Sequence, residues 1–221
     1  MAYGKFKSVA EVAEKFDIKV ADRTHFIEQN PVEILDVYCY DMIEKLGDDI
    51  NFINEFTICE AIIRPVLSLV IKNYDRLKIW SHVPYNINEE KGLVGEPDYL
   101  IAPKTKYGAM AIPSLCVIEA KKDDFDEGWA QALAEMVASS LLDAPVCYGI
   151  VTTGKIWEFG ELDEGVFTVD TASISATTEL QRVFNTLNWV FSQAERQRTD
   201  KIRTVGTVPL QSHATHGNGI N

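Results

Sequence analysis

Glu96–Ala102 (EPDYLIA) and Ser114–Lys121 (SLCVIEAK) are the two stretches that decide how this chain folds. Both are short apolar runs closed off by Pro, Gly or Lys, the pattern of β-strands buried in a sheet. In the second, a period of two puts Glu119 and Lys121 on one face of the strand. A carboxylate and an ammonium within an apolar strand are costly to bury unless paired or bound to a metal. Pro97-Asp98 supplies a second carboxylate in the first run, with twenty residues between it and Glu119. Two carboxylates converging with one lysine can hold Mg²⁺ and position a water for phosphodiester hydrolysis.

Outward from this pair, Leu77–Ile87 reads as a preceding strand, joined to EPDYLIA through the Asn88–Gly92 turn. Pro103–Pro113 reads as a loop, and the three strands as an antiparallel meander. A helix over Asp126–Leu142 crosses to a strand at Val146–Thr152. Lys155–Leu162 and Val166–Asp170 then form a hairpin about Asp163-Glu164-Gly165. On the N-terminal side, Ser8 caps a helix to Phe16, with Glu11 completing a capping box. A patternless stretch follows to Asn30. Pro31 opens a second helix to Leu46, its apolar face made of Leu35, Tyr38, Cys39, Met42 and Leu46, and Gly47 stops it. A third helix, Asp49–Tyr74, is kinked by Pro65. Helix Thr178–Gln197 repeats Leu180, Val183, Phe184, Leu187, Val190, Phe191 and Ala194 at helical spacing and so buries one face. The expectation is an α/β fold: a mixed central sheet of four or more strands, helices on both sides, and an antiparallel meander before a crossover helix. It forms one domain over residues 1–198, with a helical region to about residue 75. Residues 199–221, small, polar and glycine-rich, form a flexible tail.

Composition narrows the function classes. Cys39, Cys59, Cys116 and Cys147 lie far apart among apolar residues, which suits buried reduced thiols and not a zinc site. His25, His82, His213 and His216 have no metal spacing, and neither a GxxxxGK phosphate loop nor a GxSxG nucleophile elbow is present. No apolar run reaches the length of a membrane span, and MAYGKFKSVAEVAEKF lacks a signal core, so a cytoplasmic location is expected. With 33 acidic residues against 21 basic ones the net charge is −12. That opposes tight binding of a polyanion by the chain alone. Asp123, Asp124, Asp126 and Glu127 are explained by the dipole of the helix they begin, yet add negative charge near Lys121.

The order strand, Pro97-Asp98, strand, Glu119-Ala120-Lys121, helix resembles the PD-(D/E)XK nuclease superfamily, to which the restriction endonucleases belong, over roughly residues 50 to 160. The resemblance implies a restriction endonuclease-like fold, a Mg²⁺ cofactor that Mn²⁺ can replace, and a nucleic-acid substrate, DNA in the first instance. It gives Asp98 a place between metal and scissile phosphate, makes Glu119 and the Ala120 carbonyl metal ligands, and sets Lys121 beside the attacking water. CEAIIRPVL is similar to the helix that opens the nuclease domain in motor subunits of type I restriction enzymes, where a glutamate belongs to the site. That implies a metal-binding role for Glu60, which falls in the apolar face of Ile53, Phe56, Ile63 and Leu67. A subset of the superfamily carries a substrate-contacting glutamine where Gln131 stands, with a tyrosine one turn later. Here that later position is Glu135, so the match is partial. The bland readings stay open: Asp98 satisfied by a turn, Glu119 paired only with Lys121, Glu60 paired with Arg64, and Gln131 on a helix surface. The acidic balance also leaves open a catalytically silent module of the same fold, of phage or mobile-element type, binding a protein partner or a second copy.

Overall fold

The computed structural model describes residues 3–205, with side chains to residue 196. Its centre is a seven-stranded mixed sheet of order β1-β7-β6-β5-β4-β3-β2. The strands are β1 (Lys19–Val20), β2 (Leu77–Ser81), β3 (Tyr99–Pro103), β4 (Cys116–Ala120), β5 (Val146–Thr152), β6 (Ile156–Asp163) and β7 (Val166–Ser175). β2, β3 and β4 form the expected antiparallel meander. Helix α5 (Phe125–Ser140) then crosses over, and β5 pairs parallel to β4. Every residue of β3 and β4 is buried, as the continuous apolar runs require of strands covered on both faces.

Two apolar layers sandwich the sheet. One face packs against α2 (Asp36–Gly47), α4 (Arg64–Ile71) and the long C-terminal helix α6 (Ala176–Val205) through Ile62, Leu67, Val183, Phe184 and Phe191. The other packs against α1 (Val9–Phe16) and α5 through Val12, Trp129, Leu133 and Met136. Helix α5 lies close to the strands because glycines leave room beneath it. A Cβ on Gly149 of β5 would stand 2.7 Å from the Met136 sulfur, and one on Gly160 of β6 would stand 2.8 Å from the Trp129 ring.

Several expectations are corrected. The Ser8 hydroxyl does accept from the Glu11 N–H at 3.2 Å, but Glu11 reaches back to Lys7 N–H, not to the cap residue. Pro31–Leu35 is not helical, and α2 begins only at Asp36. On it Met42 and Leu46 are buried, whereas Leu35 and Tyr38 are 58% and 44% exposed. The single helix expected over Asp49–Tyr74 is divided. A 3-10 turn (Asp49–Phe52) ends before Asn54, whose side chain and Thr57 form a reciprocal cap that starts α3 (Glu55–Ile58). A π-turn (Cys59–Ile63) then precedes Pro65, with Arg64 N–H bonded to the Cys59 carbonyl. A proline has no N–H and its ring crowds the carbonyl four residues back, so the chain widens by one residue before it. The expected strand to Ile87 ends at Ser81, where His82 takes a positive φ of 48°.

The patternless stretch hides an edge strand. β1 pairs parallel to β7, and the chain follows β7 onward through Ala21 and Thr24. Neither β1 residue is buried, so no alternation marked it. The hairpin turn lies at Glu164 and Gly165, both at positive φ (45° and 79°), as a two-residue turn matching strand twist demands. α6 continues through Val205, past the expected end at Gln197, so residues 199–205 of the expected tail are helical. Residues 206–221 lie outside the described residues.

Asp170 fastens β1's connection to the sheet. Its fully buried carboxylate accepts from the N–H groups of Phe26 (2.6 Å), Ile27 (2.9 Å) and Ala172 (2.6 Å) and faces His25 Nδ1 at 3.1 Å. Burial pushes its pKa up, but these donors outweigh it and the carboxyl ends below its ordinary value. Asp170→Ala strands three N–H groups at an apolar edge and should lose about 3 kcal/mol or more. Thermal unfolding should show a Tm lower by roughly 10 °C for a chain of this size. With a folded pKa below the unfolded one, this contribution is present at neutral pH and is lost as pH falls through the folded value.

Candidate active site

The register of the meander gathers the site. β2 pairs Ser81 with Tyr99, and β3 pairs Tyr99 with Ile118, so the next row aligns His82, Asp98 and Glu119 just past the ends of those ladders. Residues directly opposite one another project to the same side of a sheet. Here that is the side covered by α5, since Val117, two residues before Glu119, packs in the α5 layer. The Asp98 N–H lies 3.5 Å from Glu119 Oε1. Asp98 Oδ2 accepts from Ala120 N–H at 2.8 Å, and Oδ1 lies 3.8 Å from His82 Nδ1.

Lys121 continues the same face. It is 7% exposed, with Nζ 3.9 Å from Glu119 Oε2 and 4.0 Å from Glu55 Oε1 on α3. Its stem passes beneath the first turn of α5, where a Cβ on Gly128 would stand 3.0 Å from Lys121 Cγ and 2.5 Å from Val151 Cγ1. Asp124 caps that helix by accepting from Glu127 N–H at 2.9 Å, so Asp124 has a structural task of its own.

Glu135 is the residue that sequence reading passed over. It lies seven residues beyond Gly128 on the same stripe of α5, is 1% exposed, and feels the charge of Glu119. Its Oε2 is buried without a partner. A charged residue inside the run Ala132-Leu133-Ala134-Glu135-Met136-Val137 was the available signal, outweighed by comparison of the position with a tyrosine.

Two expected site residues stand apart from the carboxylates. Glu60 is exposed and has no hydrogen bond or ion pair among the described residues; the alternative pairing with Arg64 is not made, since Arg64 donates to Ser81 instead. The apolar face assigned to it is also wrong, because Ile53 and Phe56 are 58% and 61% exposed. The π-turn adds a residue, and each residue turns a helix by roughly 100°, so spacing read at 3.6 residues per turn mistakes the face. The acid this helical segment brings to Lys121 is Glu55. Gln131 is half-buried one turn ahead of Glu135, its amide nitrogen 3.0 Å from where a Cβ on Gly4 would lie, beneath the N-terminal turn.

Electrostatics follow from crowding these acids in an apolar setting. Burial first, then the charge of Asp98, push Glu119 up to about 8. Burial raises Asp98 as well, against the opposing pull of the Ala120 N–H, His82 and Lys121. Glu135 is raised well above a normal glutamate by burial and then by Glu119. As the side chains stand, no three His, Cys, Asp or Glu residues among the described residues are arranged to hold a metal ion. Asp98 Oδ2 is engaged by the Ala120 N–H, and Glu119 faces the Asp98 N–H and the Lys121 ammonium. The donor set is all oxygen, suited to a hard cation, and the orphaned Glu135 oxygen has unused coordinating capacity.

Comparison with known proteins adds little. No family model and no curated protein matches the chain. Among solved structures it is similar to the type IIG restriction endonuclease BpuSI, at 15% identity and a TM-score of 0.45. The likeness covers 66% of this chain and 17% of that enzyme, so the chain spans about a sixth of the protein it matches. A likeness of that size carries neither residue roles nor activity across.

The raised Glu119 pKa has a measurable sign. The carboxyl is harder to ionise folded than unfolded, so its burden on stability is absent near pH 4.5 and grows as pH rises toward about 8. In chelator, the Tm of Glu119→Gln minus that of wild type should widen in favour of the variant from pH 5 to pH 8, then level off. A difference that stays flat would show that Glu119 titrates normally.

Proposed function

We propose that this chain is a divalent-metal-dependent phosphodiester hydrolase of the restriction and repair type, acting on nucleic acid, with DNA as the first substrate to test. The observation that carries the reading is the row of Asp98 and Glu119 on one side of the sheet, with Lys121 next along it. The strand and helix order matches what the sequence resemblance implies, from meander to crossover helix. The finer likeness to the nuclease domain of type I motor subunits rests on CEAIIRPVL alone.

Asp98, Glu119 and the Ala120 carbonyl would hold Mg²⁺, or Mn²⁺ in its place. When bound, the ion neutralises charge on the attacked phosphate and acidifies a coordinated water. The chain's own residues do the remaining work. The Ala120 N–H fixes the Asp98 carboxylate in one orientation. Lys121, nearly enclosed and held near Glu119 and Glu55, orients the attacking water and takes part in moving its proton. Glu60 and Gln131 would contribute only by contacting substrate or ion from outside the buried cluster.

The silent-module reading has its own support. Val37, Tyr40, Ile43, Ile50, Ile53 and Phe56 are all more than half exposed along α2 and the turns after it, an apolar surface of the kind that meets a protein partner.

Cleavage assays on single-stranded, duplex and branched DNA and RNA with Mg²⁺ and Mn²⁺ decide between the two. For a nuclease, Asp98→Ala, Glu119→Ala and Lys121→Ala should each cut the rate at least about a hundredfold while the fold survives. The losses should not add, because the three act as one unit. Substrate affinity should be weak and fall steeply with salt. Cleavage persisting in the variants would locate the activity elsewhere, and no cleavage of any substrate would favour the silent module.

A further inference from the structure

The segment that brings Glu55 to Lys121 also carries two large apolar side chains turned to solvent. Ile53 and Phe56 flank Glu55 and are 58% and 61% exposed, while Glu55 Oε1 lies 4.0 Å from Lys121 Nζ. The start of α3 holds them there. Asn54 Oδ1 accepts from Thr57 N–H at 2.9 Å, and Asn54 N–H donates to Thr57 Oγ1 at 3.3 Å. Ile53, Asn54, Glu55, Phe56 and Lys122 together line an open groove of about 450 Å³. Clefts that hold small organic groups run from roughly 300 to 1,000 Å³. Phe52, one turn before Phe56, has its ring face taken, with Lys155 Nζ 4.1 Å from the centroid. Among the described residues no ring or cation covers Phe56, and Lys122 is exposed and enters no ion pair.

A free aromatic face beside an unpaired ammonium suits a nucleic-acid strand, which offers a base to the one and a phosphate to the other. With a net charge of −12 the chain has few cations to spare for phosphates, so stacking has to supply more of the hold. Bases in a duplex are covered on both faces by their neighbours. Only an unpaired base reaches Phe56 without first being extruded. We propose that this groove is a subsite for the substrate strand, where Phe56 stacks on an unpaired base beside the scissile phosphate and Lys122 meets the adjoining backbone. The substrate form is then single-stranded or locally unpaired nucleic acid, not intact duplex. The inference rests on the hydrolase reading and deepens it by naming the form of its substrate. Ile53 and Phe56 also belong to the apolar surface that a protein partner would cover, but here that surface runs into Lys121 and Lys122, which favours a polyanion.

The test is the affinity of the full chain for a short fluorescein-labelled DNA single strand and for the blunt duplex of the same sequence. Fluorescence anisotropy at low salt in chelator reads binding without cleavage. Wild type should hold the single strand about tenfold tighter than the duplex, the scale of one base–aromatic stack. Phe56→Ala should lose about that factor on the single strand and leave duplex affinity and Tm unchanged, because the ring is exposed. Phe56→Trp keeps a stacking face and should bind as wild type. Tyr40→Ala, on α2 and outside the groove lining, should also bind as wild type. The subsite is overturned if Phe56→Ala binds the single strand as wild type does, if Tyr40→Ala loses as much, or if wild type holds the duplex as tightly. It falls too if wild type binds neither form, and cleavage of either form would then still uphold the hydrolase reading. With no cleavage as well, both fall and the surface is left to a protein partner.

Discussion

The candidate site depends on the place where β3 and β4 stop pairing. Their ladder ends at Tyr99 and Ile118, and Pro97, without an N–H, cannot extend it. Past that point no strand N–H faces the Ala120 carbonyl, and the Ala120 N–H is taken by the Asp98 carboxylate at 2.8 Å. That single bond turns Asp98 back toward β4 and sets it next to Glu119.

Two kinds of buried acid occur in the molecule, and the difference is instructive. Asp170 has three backbone N–H groups and His25 around it, is held below its ordinary pKa, and ties the edge strand to the sheet. Glu119 and Glu135 have each other, one long contact from Asp98 N–H and a lysine 3.9 Å away, and are raised instead. A carboxylate kept for structure is surrounded by donors, because the fold gains from its ionised form. A group of carboxylates left short of donors is a burden on the fold, of the kind that functional sites tolerate.

The helix over the site is held as closely as sterics allow. Glycines at 128, 149 and 160 remove the Cβ atoms that would lift α5 from the strands, which is how a glutamate in mid-helix becomes enclosed. α2 turns large apolar side chains outward, as do Ile53 and Phe56 on either side of Glu55, so one chain presents both a closed acidic cluster and an open apolar surface.

The sheet was legible in the sequence because buried strands write themselves as short apolar runs. SLCVIEAK and Val146–Thr152 needed no partner to be recognised, and their order with α5 implied a parallel crossover. Asp98, Glu119 and Lys121 were legible for the same reason, as charges where a strand should be apolar. The face of Glu60 was misread because a π-turn before Pro65 shifts the helical face, a shift invisible to a fixed period. β1 was missed because an exposed edge strand of two residues leaves no alternation; it exists only through β7 and Asp170. Glu135 shows the limit most clearly. Periodicity can say that a glutamate interrupts an apolar helix, but which charge it meets depends on how near the helix approaches the sheet, and that distance is set by glycines on three different elements.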